Sequence, residues 1–265
     1  MKKQTIPKGS SLSRVIAQRT GGWLQARVDD YLENDIERRY DPGWFHPSAL
    51  GNPCDALLAF QYMGSMGKST TKARTQRIFD NGTSRDEDWK RYLHKSGTSL
   101  MKHWGGSPEE RKLASAERYI EIKSAHIRGE FDDLVFNPVT KETAVAEIKT
   151  MNTEEWQKLR APKNDHIIQV HPYMFAKGVL QTIFIYENKD NQDIKTYVKK
   201  FDGALWHSIE LRLANIVQLV ESKQLPWRTP MLNDSQCAFY AKNSGFPGCG
   251  AFQFKEGINV SSKSD

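Results

Sequence analysis

Between Ile127 and Tyr173 the chain reads IRGEFDDLVFNPVTKETAVAEIKT, then a short polar segment, then HIIQVHPY. Asp132, Glu147 and Lys149 fall on stretches that read as neighbouring strands, and Gln169 and Tyr173 on the helix that follows. Glu147 and Lys149 are two residues apart, so in a strand they leave from the same face, while Ala144, Ala146 and Ile148 point the other way into a core. A carboxylate and an ammonium on a small, otherwise apolar strand are costly to bury unless something there uses them. A divalent cation and a phosphate would use both. Hydrolysis of a phosphodiester needs a positioned water, charge compensation on the phosphoryl oxygens and a stabilised leaving group. Magnesium accepts a few carboxylates and otherwise keeps water and phosphate oxygens, and manganese suits the same oxygen ligands. Asp132 and Glu147 supply two carboxylates, and the Ile148 backbone carbonyl a third oxygen. Lys149 would orient or help deprotonate the attacking water and neutralise charge on the phosphate. Gln169 could orient that water or Lys149, and Tyr173 packs or touches a phosphate. The bland alternative for Glu147 and Lys149 is a salt-bridge pair on a solvated sheet face.

The elements that must position these residues can be read from periodicity. Residues 10–39 show helical spacing, broken at Gly21-Gly22, and a short helix follows Pro53, a residue that a first helical turn tolerates. Lys72 to Lys95 predicts a long helix with Ile78, Gly82, Asp86, Trp89 and Leu93 on one stripe. Asp86 is the anomaly there: either it pairs with a nearby Arg or lies at the stripe's edge, or it holds a second metal or a bound water. Residues 116–123 and 126–136 read as two strands, 143–149 as a third after a turn at NPVTK, and 153–160 as a short helix capped by Asn152 or Thr153. Residues 163–178 form the helix bearing Gln169 and Tyr173, with a kink or a broken first half expected at Pro172. Two more strands and an amphipathic helix from Asp202 to about Lys223 complete the pattern. The expected organisation is a basic tail over 1–9, a helical segment over 10–68 packing on the core, an α/β core over 69–225 and an irregular segment over 226–265 whose tail is disordered. The fold class is α/β, with a central mixed sheet flanked by helices.

The ensemble resembles the PD-(D/E)xK nuclease superfamily in its RecB-like and lambda-exonuclease-like branch, over roughly residues 75–190. Gly129-Glu130-Phe131-Asp132 is similar to the second motif of that family, and Glu147-Ile148-Lys149 with Thr150 to the third. Gln169 and Tyr173 match the Gln and Tyr that the branch places four apart on the next helix. Gly82-Thr-Ser-Arg-Asp86 matches its glycine-led pattern on the preceding helix, with Asp where His or Glu is usual, so an oxygen donor is kept. The resemblance implies a restriction-endonuclease-like core and selects Asp132 over its neighbour Asp133, which then becomes a surface or turn residue. It implies a deoxyribonuclease with Asp86, Asp132, Glu147 and the Ile148 carbonyl around the cation. The Gln-x-x-x-Tyr element points to end processing, an exonuclease in recombination, repair, phage or defence. A structure-specific endonuclease and an inactive DNA-binding relative are the alternatives. The same relatives imply a recombination or single-strand-binding protein as partner and leave the oligomeric state open, since lambda-type relatives form rings and RecB-type relatives sit in larger complexes.

Composition sets the bounds. A net charge of +6 and a pI near 9.1 favour an acidic partner, with DNA first. Lys72, Arg74 and Arg77, with Lys68 ahead of them, and Arg160 and Lys163 could track a phosphate backbone without reading sequence. No apolar run approaches the roughly 20 residues that span a bilayer. GKST at 67–70 lacks the upstream glycine and strand of a phosphate-binding loop. Three cysteines are too few for a disulfide framework, which points to a reducing, cytoplasmic setting. Related nucleases tie their ends with a four-Cys iron–sulfur cluster, and Cys54, Cys237 and Cys249 fall one thiolate short of it. A Cys3His zinc site completed by His46 is conceivable, and three buried free thiols are the favoured reading. His166 and His171 read as hydrogen-bonded spacers rather than ligands.

Overall fold

The computed structural model describes residues 22–34, 41–64, 72–103, 106–224 and 226. In chain order these form α1 (Gly22–Asn34), α2 (Pro47–Leu50), α3 (Asp55–Tyr62), α4 (Ala73–Lys95) and α5 (Pro108–Arg118), followed by β1 (Tyr119–Ile122), β2 (Ile127–Glu130), β3 (Asp133–Asn137) and β4 (Glu142–Met151). Then come α6 (Thr153–Lys158), α7 (Asn164–Lys177), β5 (Gln181–Asn188), β6 (Ile194–Lys200) and α8 (Gly203–Glu221). The chain divides into two units, one of residues 1–39 with 68–81, the other of 40–67 with 82–265. Within the first, Glu33 caps the start of α4 by accepting from the Ala73 amide at 2.9 Å, and Arg77 pairs with Asp29.

The second unit is a mixed α/β structure built on a four-stranded sheet in the order β3-β4-β5-β6. β3–β4 and β5–β6 are antiparallel and β4–β5 is parallel, the crossover running through α6 and α7. β1 and β2 form a separate antiparallel pair. Alternation along β4 decides how the layers stack. Val145 and Met151 belong to the larger core with Phe184 and Tyr186 of β5, Val170 and Met174 of α7 and Leu213 of α8. Ala144 and Ala146 belong to a smaller core with Val135, against which Ile183 of β5 and Leu93 of α4 pack. The part of α4 after residue 81 lies on that second face: a Cβ at Gly82 would stand 3.9 Å from Thr150 Oγ1, and Arg85 and Trp89 both donate to Glu187 at the end of β5. One face of β4 thus looks to α7, the other to α4. Side chains from both helices can meet only past the edge where β3 ends.

Three departures from the expected elements matter. The stretch 126–136 is not one strand. It splits into β2 and β3, which belong to different sheets, with Phe131 and Asp132 between them. Phe131 is fully buried and anchors the break, and Gly129 is required ahead of it because a Cβ there would stand 2.7 Å from Pro47 Cδ. Residues 116–118 are helical rather than extended. Ser107 and Glu110 form a capping box, Pro108 occupies the first turn, and the helix runs on to Arg118. α7 continues unbroken through the buried Pro172 and ends on Gly178 in the left-handed conformation. Asn152 caps α6 and Asp202 caps α8.

Candidate active site

The break between β2 and β3 frees Asp132 from both ladders. Register places Asp133 opposite Ala146, so β3 covers β4 only up to that residue, and the edge beyond is open. Asp132 fills it: its Oδ2 accepts from the Ile148 amide at 2.6 Å. In an extended strand the N–H and C=O of one residue point to the same side, so the Ile148 carbonyl faces the edge where Asp132 sits.

Glu147 and Lys149 leave β4 on the α7 face, beside Phe184 and Tyr186 in the parallel register. They do form an ion pair, Lys149 Nζ to Glu147 Oε1 at 2.6 Å, but the face is not solvated: Glu147 is 0% exposed and Lys149 26%. Gln169 comes down from α7 and donates through Nε2 to the same Glu147 oxygen at 2.7 Å. The other oxygen, Oε2, is buried and has no partner. Tyr173, one turn on, is buried and donates to the Glu130 carbonyl at 2.9 Å, which ties α7 to the end of β2. From the opposite face α4 brings Asp86. Its Oδ2 takes Lys90 Nζ at 2.7 Å, and its Oδ1 is buried without a partner.

Electrostatics mark the same residues. Burial, then the charge of Asp132, pushes the Glu147 carboxyl up to about 8, with Lys149 opposing and Asp86 adding to the rise. The same two causes, burial and Asp132, raise Asp86 to about 7, against Lys90. Burial works against the Lys149 ammonium, but Glu147 and Asp132 together outweigh it and its pKa is raised. Carboxyls raised by one another and by burial are where a cation gains most.

The donor chemistry suits a hard divalent cation: carboxylate and carbonyl oxygens, two of them buried and bare. The ligand set is not preassembled, since among the described residues no three His, Cys, Asp or Glu side chains gather closely enough to hold a metal ion. Asp86 and Glu147 lie on opposite faces of β4, each paired with its own lysine.

Asp133 is not the surface or turn residue expected of it. It is fully buried, accepts from Ser99 Oγ at 2.6 Å and pairs with the buried Arg118 at 3.1 Å. Arg118 also donates to the Asp132 carbonyl at 2.9 Å and to the carbonyls of His103 and Ala114, so it fixes the backbone that carries Asp132. Lys90 and Glu130 also border the site. Lys90 follows Gly82 and Asp86 at steps of four, a spacing visible in the sequence although Trp89 turns the apolar stripe to one side. His166 hydrogen-bonds through Nδ1 to the Tyr186 hydroxyl at 2.8 Å, one turn before Gln169, and burial with the Lys149 charge lowers it to about 4. His171 Nε2 accepts from the Asp202 amide at 3.2 Å, which leaves Nδ1–H to donate to the Ile167 carbonyl.

The basic residues divide. Lys72, Arg74 and Arg77 belong to the first unit and are exposed, Arg77 engaged with Asp29. Arg160 is exposed between α6 and α7 and donates to the Leu159 carbonyl, and Lys163 pairs with Glu155 at 3.1 Å. Cys54 is buried at the start of α3, and His46 precedes α2 with its pKa lowered chiefly by burial. Cys237, Cys249 and Lys68 lie outside the described residues. No described helix is long and apolar enough to cross a membrane.

No protein-family model and no curated protein matches the chain. Among solved structures it is similar to an alkaline exonuclease (LHK-Exo) from Laribacter hongkongensis, at 18% identity and a TM-score of 0.44 over 77% of this chain and 94% of that one. The same protein in complex with dAMP gives 20% identity and a TM-score of 0.48 with the same coverage. The structure of SSO0001 gives 14% identity and 0.41, over 77% of this chain and 88% of that one. At such scores these likenesses carry no functional argument, which falls to the side chains of the site.

Proposed function

We propose that this chain is a deoxyribonuclease that hydrolyses phosphodiester bonds with Mg2+ or Mn2+ and works from DNA ends as an exonuclease. The observation that carries the reading is the edge of β4: Asp132 seated on the Ile148 amide beside a fully buried Glu147 that Lys149 and Gln169 hold by one oxygen, leaving the other bare. Buried scaffold acids ordinarily have their oxygens satisfied, as both oxygens of Asp133 are. Asp132, Glu147, Asp86 and the Ile148 carbonyl are the proposed ligands, and a divalent cation, when bound, supplies Lewis acidity and charge compensation for the phosphoryl group.

The chain's own residues do the rest. Lys149 is partly open to solvent while its ammonium is held at Glu147, so it can turn spare N–H donors on the attacking water or on a phosphate oxygen. Gln169 fixes the Glu147 rotamer and so the point where Lys149 is anchored. Tyr173 acts one layer back, holding the backbone of Glu130 two residues before Asp132. Arg160 and Lys163 would hold the DNA backbone near α7, with Lys72, Arg74 and Arg77 as further phosphate contacts. End processing in recombination, repair or phage DNA metabolism, in a cytoplasmic setting and beside a recombination or single-strand-binding partner, is the proposed context.

Labelled linear and covalently closed circular DNA, each incubated with Mg2+ and with chelator, test the activity. Loss of the linear substrate alone, and only with Mg2+, supports the exonuclease. Cutting of the closed circle moves the reading to an endonuclease on the same scaffold, and binding without cutting moves it to a DNA-binding protein. Asp132→Ala and Lys149→Ala are expected to abolish cutting while DNA binding persists. Variants that digest like the parent overturn the site.

A further inference from the structure

The proposed hydrolysis leaves Lys90 without a role. It stands on α4 one turn after Asp86, its side chain is 13% exposed, and its Nζ lies 2.7 Å from Asp86 Oδ2 and 3.7 Å from Glu130 Oε1. An Asp–Lys pair at this helical spacing is ordinarily a weak surface contact. This one is turned inward, onto a cluster that also contains Asp132, whose charge acts on both members of the pair. The arrangement repeats what β4 does on its other side. Glu147 gives Oε1 to Lys149 and leaves Oε2 bare, and Asp86 gives Oδ2 to Lys90 and leaves Oδ1 bare. Glu130 differs in that its second oxygen is partnered, accepting from Ser115 Oγ at 2.8 Å. Four carboxylates, Asp86, Glu130, Asp132 and Glu147, therefore share two ammoniums, and the charge outstanding when all are ionised is that of one divalent cation. The fully buried, unpartnered Glu147 oxygen marks the side on which that charge is missing.

We propose that Lys90 is a built-in counter-charge of this site: its ammonium holds Asp86 against Glu130 while no divalent cation is bound and works against the cation when it arrives. The proposal rests on the reading that the site takes a divalent cation. Without Lys90 the Asp86 carboxylate would lose its ion-pair partner while its other oxygen stays buried and bare, so the cation-free protein should be weakened. The cation would then bind without a neighbouring ammonium to repel it, so it should bind more tightly and restore more. Lys90 thereby limits affinity and keeps the acids from drifting apart between binding events.

The test is thermal melting of the full chain with chelator and with millimolar Mg2+, together with calorimetric titration of Mn2+, on the parent, Lys90→Met and Lys90→Arg. Methionine keeps the aliphatic stem and removes the charge; arginine keeps the charge. The expected result is a Lys90→Met protein that melts below the parent in chelator, gains more than the parent on adding Mg2+, and binds Mn2+ about tenfold more tightly, roughly the factor given by 1.4 kcal/mol. Lys90→Arg should follow the parent. Equal gains in parent and Lys90→Met, or loss of Mn2+ binding in Lys90→Met, overturn the proposal while leaving the nuclease reading in place. A parent that binds Mn2+, shows the predicted contrast with Lys90→Met and yet cuts no DNA overturns the nuclease reading alone. A parent that binds neither cation overturns both.

Discussion

Asp132 and Asp133 are adjacent, chemically identical and put to opposite uses. Asp133 spends both oxygens on the fold: Oδ1 accepts from Ser99 and from the Leu134 amide, and Oδ2 takes the buried Arg118. Burial raises its carboxyl, and each of those partners pulls it back. Asp132 gives an oxygen to the Ile148 amide, and its charge acts on Asp86 and Glu147, whose carboxyls it pushes up. An acid that relieves its neighbours belongs to the scaffold. An acid that strains them is a candidate for chemistry, because only a cation or a substrate completes it. The break between β2 and β3 makes the division, by letting one residue start a strand while the one before it turns to the open edge.

The sharpest way to break that contrast is to remove each side chain in turn. Asp133→Ala leaves the Arg118 guanidinium buried with one partner gone, and removing one member of a buried pair costs on the order of 3–5 kcal/mol. Chemical denaturation should show a loss of that size. If the variant unfolded at the parent's midpoint, Asp133 would not be holding the fold. Asp132→Asn keeps an oxygen for the Ile148 amide and deletes the charge, so the fold should be unchanged or firmer, since repulsion with Asp86 and Glu147 is relieved. Cleavage should fall by about 100- to 1,000-fold, the range seen when a group stabilising transition-state charge is lost. Initial rates on linear DNA, measured beside a denaturation curve, separate the two effects. Equal damage to stability from both substitutions would erase the distinction drawn between them.

Sequence made one half of this comparison visible and hid the other. Glu147 and Lys149 were legible because a period of two is local, and an acid and a lysine on an apolar strand stand out in it. Asp132 could be separated from Asp133 only through a family spacing, because apolar residues occur on both faces of the surrounding stretch. The break at Phe131 depends on Pro47 lying against Gly129 and on Arg118 donating to the Asp132 carbonyl, and neither contact leaves a trace in local periodicity. α5 was legible in principle, since Ser107, Pro108 and Glu110 spell a helix start, yet the apolar residues after it drew the strand back to 116. Lys90 was hidden for a different reason. A lysine on a long helix is nearly always solvated, and what turns this one inward is a pair of acids, one of them on another element.

The pH dependence of stability sharpens the contrast at a smaller scale. Glu147 is raised from its ordinary 4.5 to about 8 and Asp86 from 3.8 to about 7. The folded chain therefore keeps protons that the unfolded chain releases, and the stability linked to them is complete below the ordinary values and lost as pH rises through about 7 and 8. Melting temperature without divalent cation should fall across that window, and Glu147→Gln should flatten the fall. His166 acts in the other direction: lowered from 6.5 to about 4, it withholds a proton that the unfolded chain takes up, so stability rises with pH between those values. A parent whose melting temperature rose from neutral to alkaline pH would contradict the strained state assigned to the carboxyls.

The smallest effect is expected at the ion pair that looks most like Glu147–Lys149 on paper. Lys163 and Glu155 lie 3.1 Å apart, but both are exposed, and such pairs contribute at most about 1 kcal/mol. Lys163→Ala should leave the denaturation midpoint nearly unmoved. If Lys163 meets DNA as proposed, the same substitution should weaken binding evenly across sequences and reduce the slope of log affinity against log salt by about one. A changed slope with unchanged stability would place Lys163 on the substrate side. An unchanged slope would leave it a solvated lysine, and the contrast with Lys149 would then rest on burial alone: the same two side-chain types, separated in function by whether water can replace the partner.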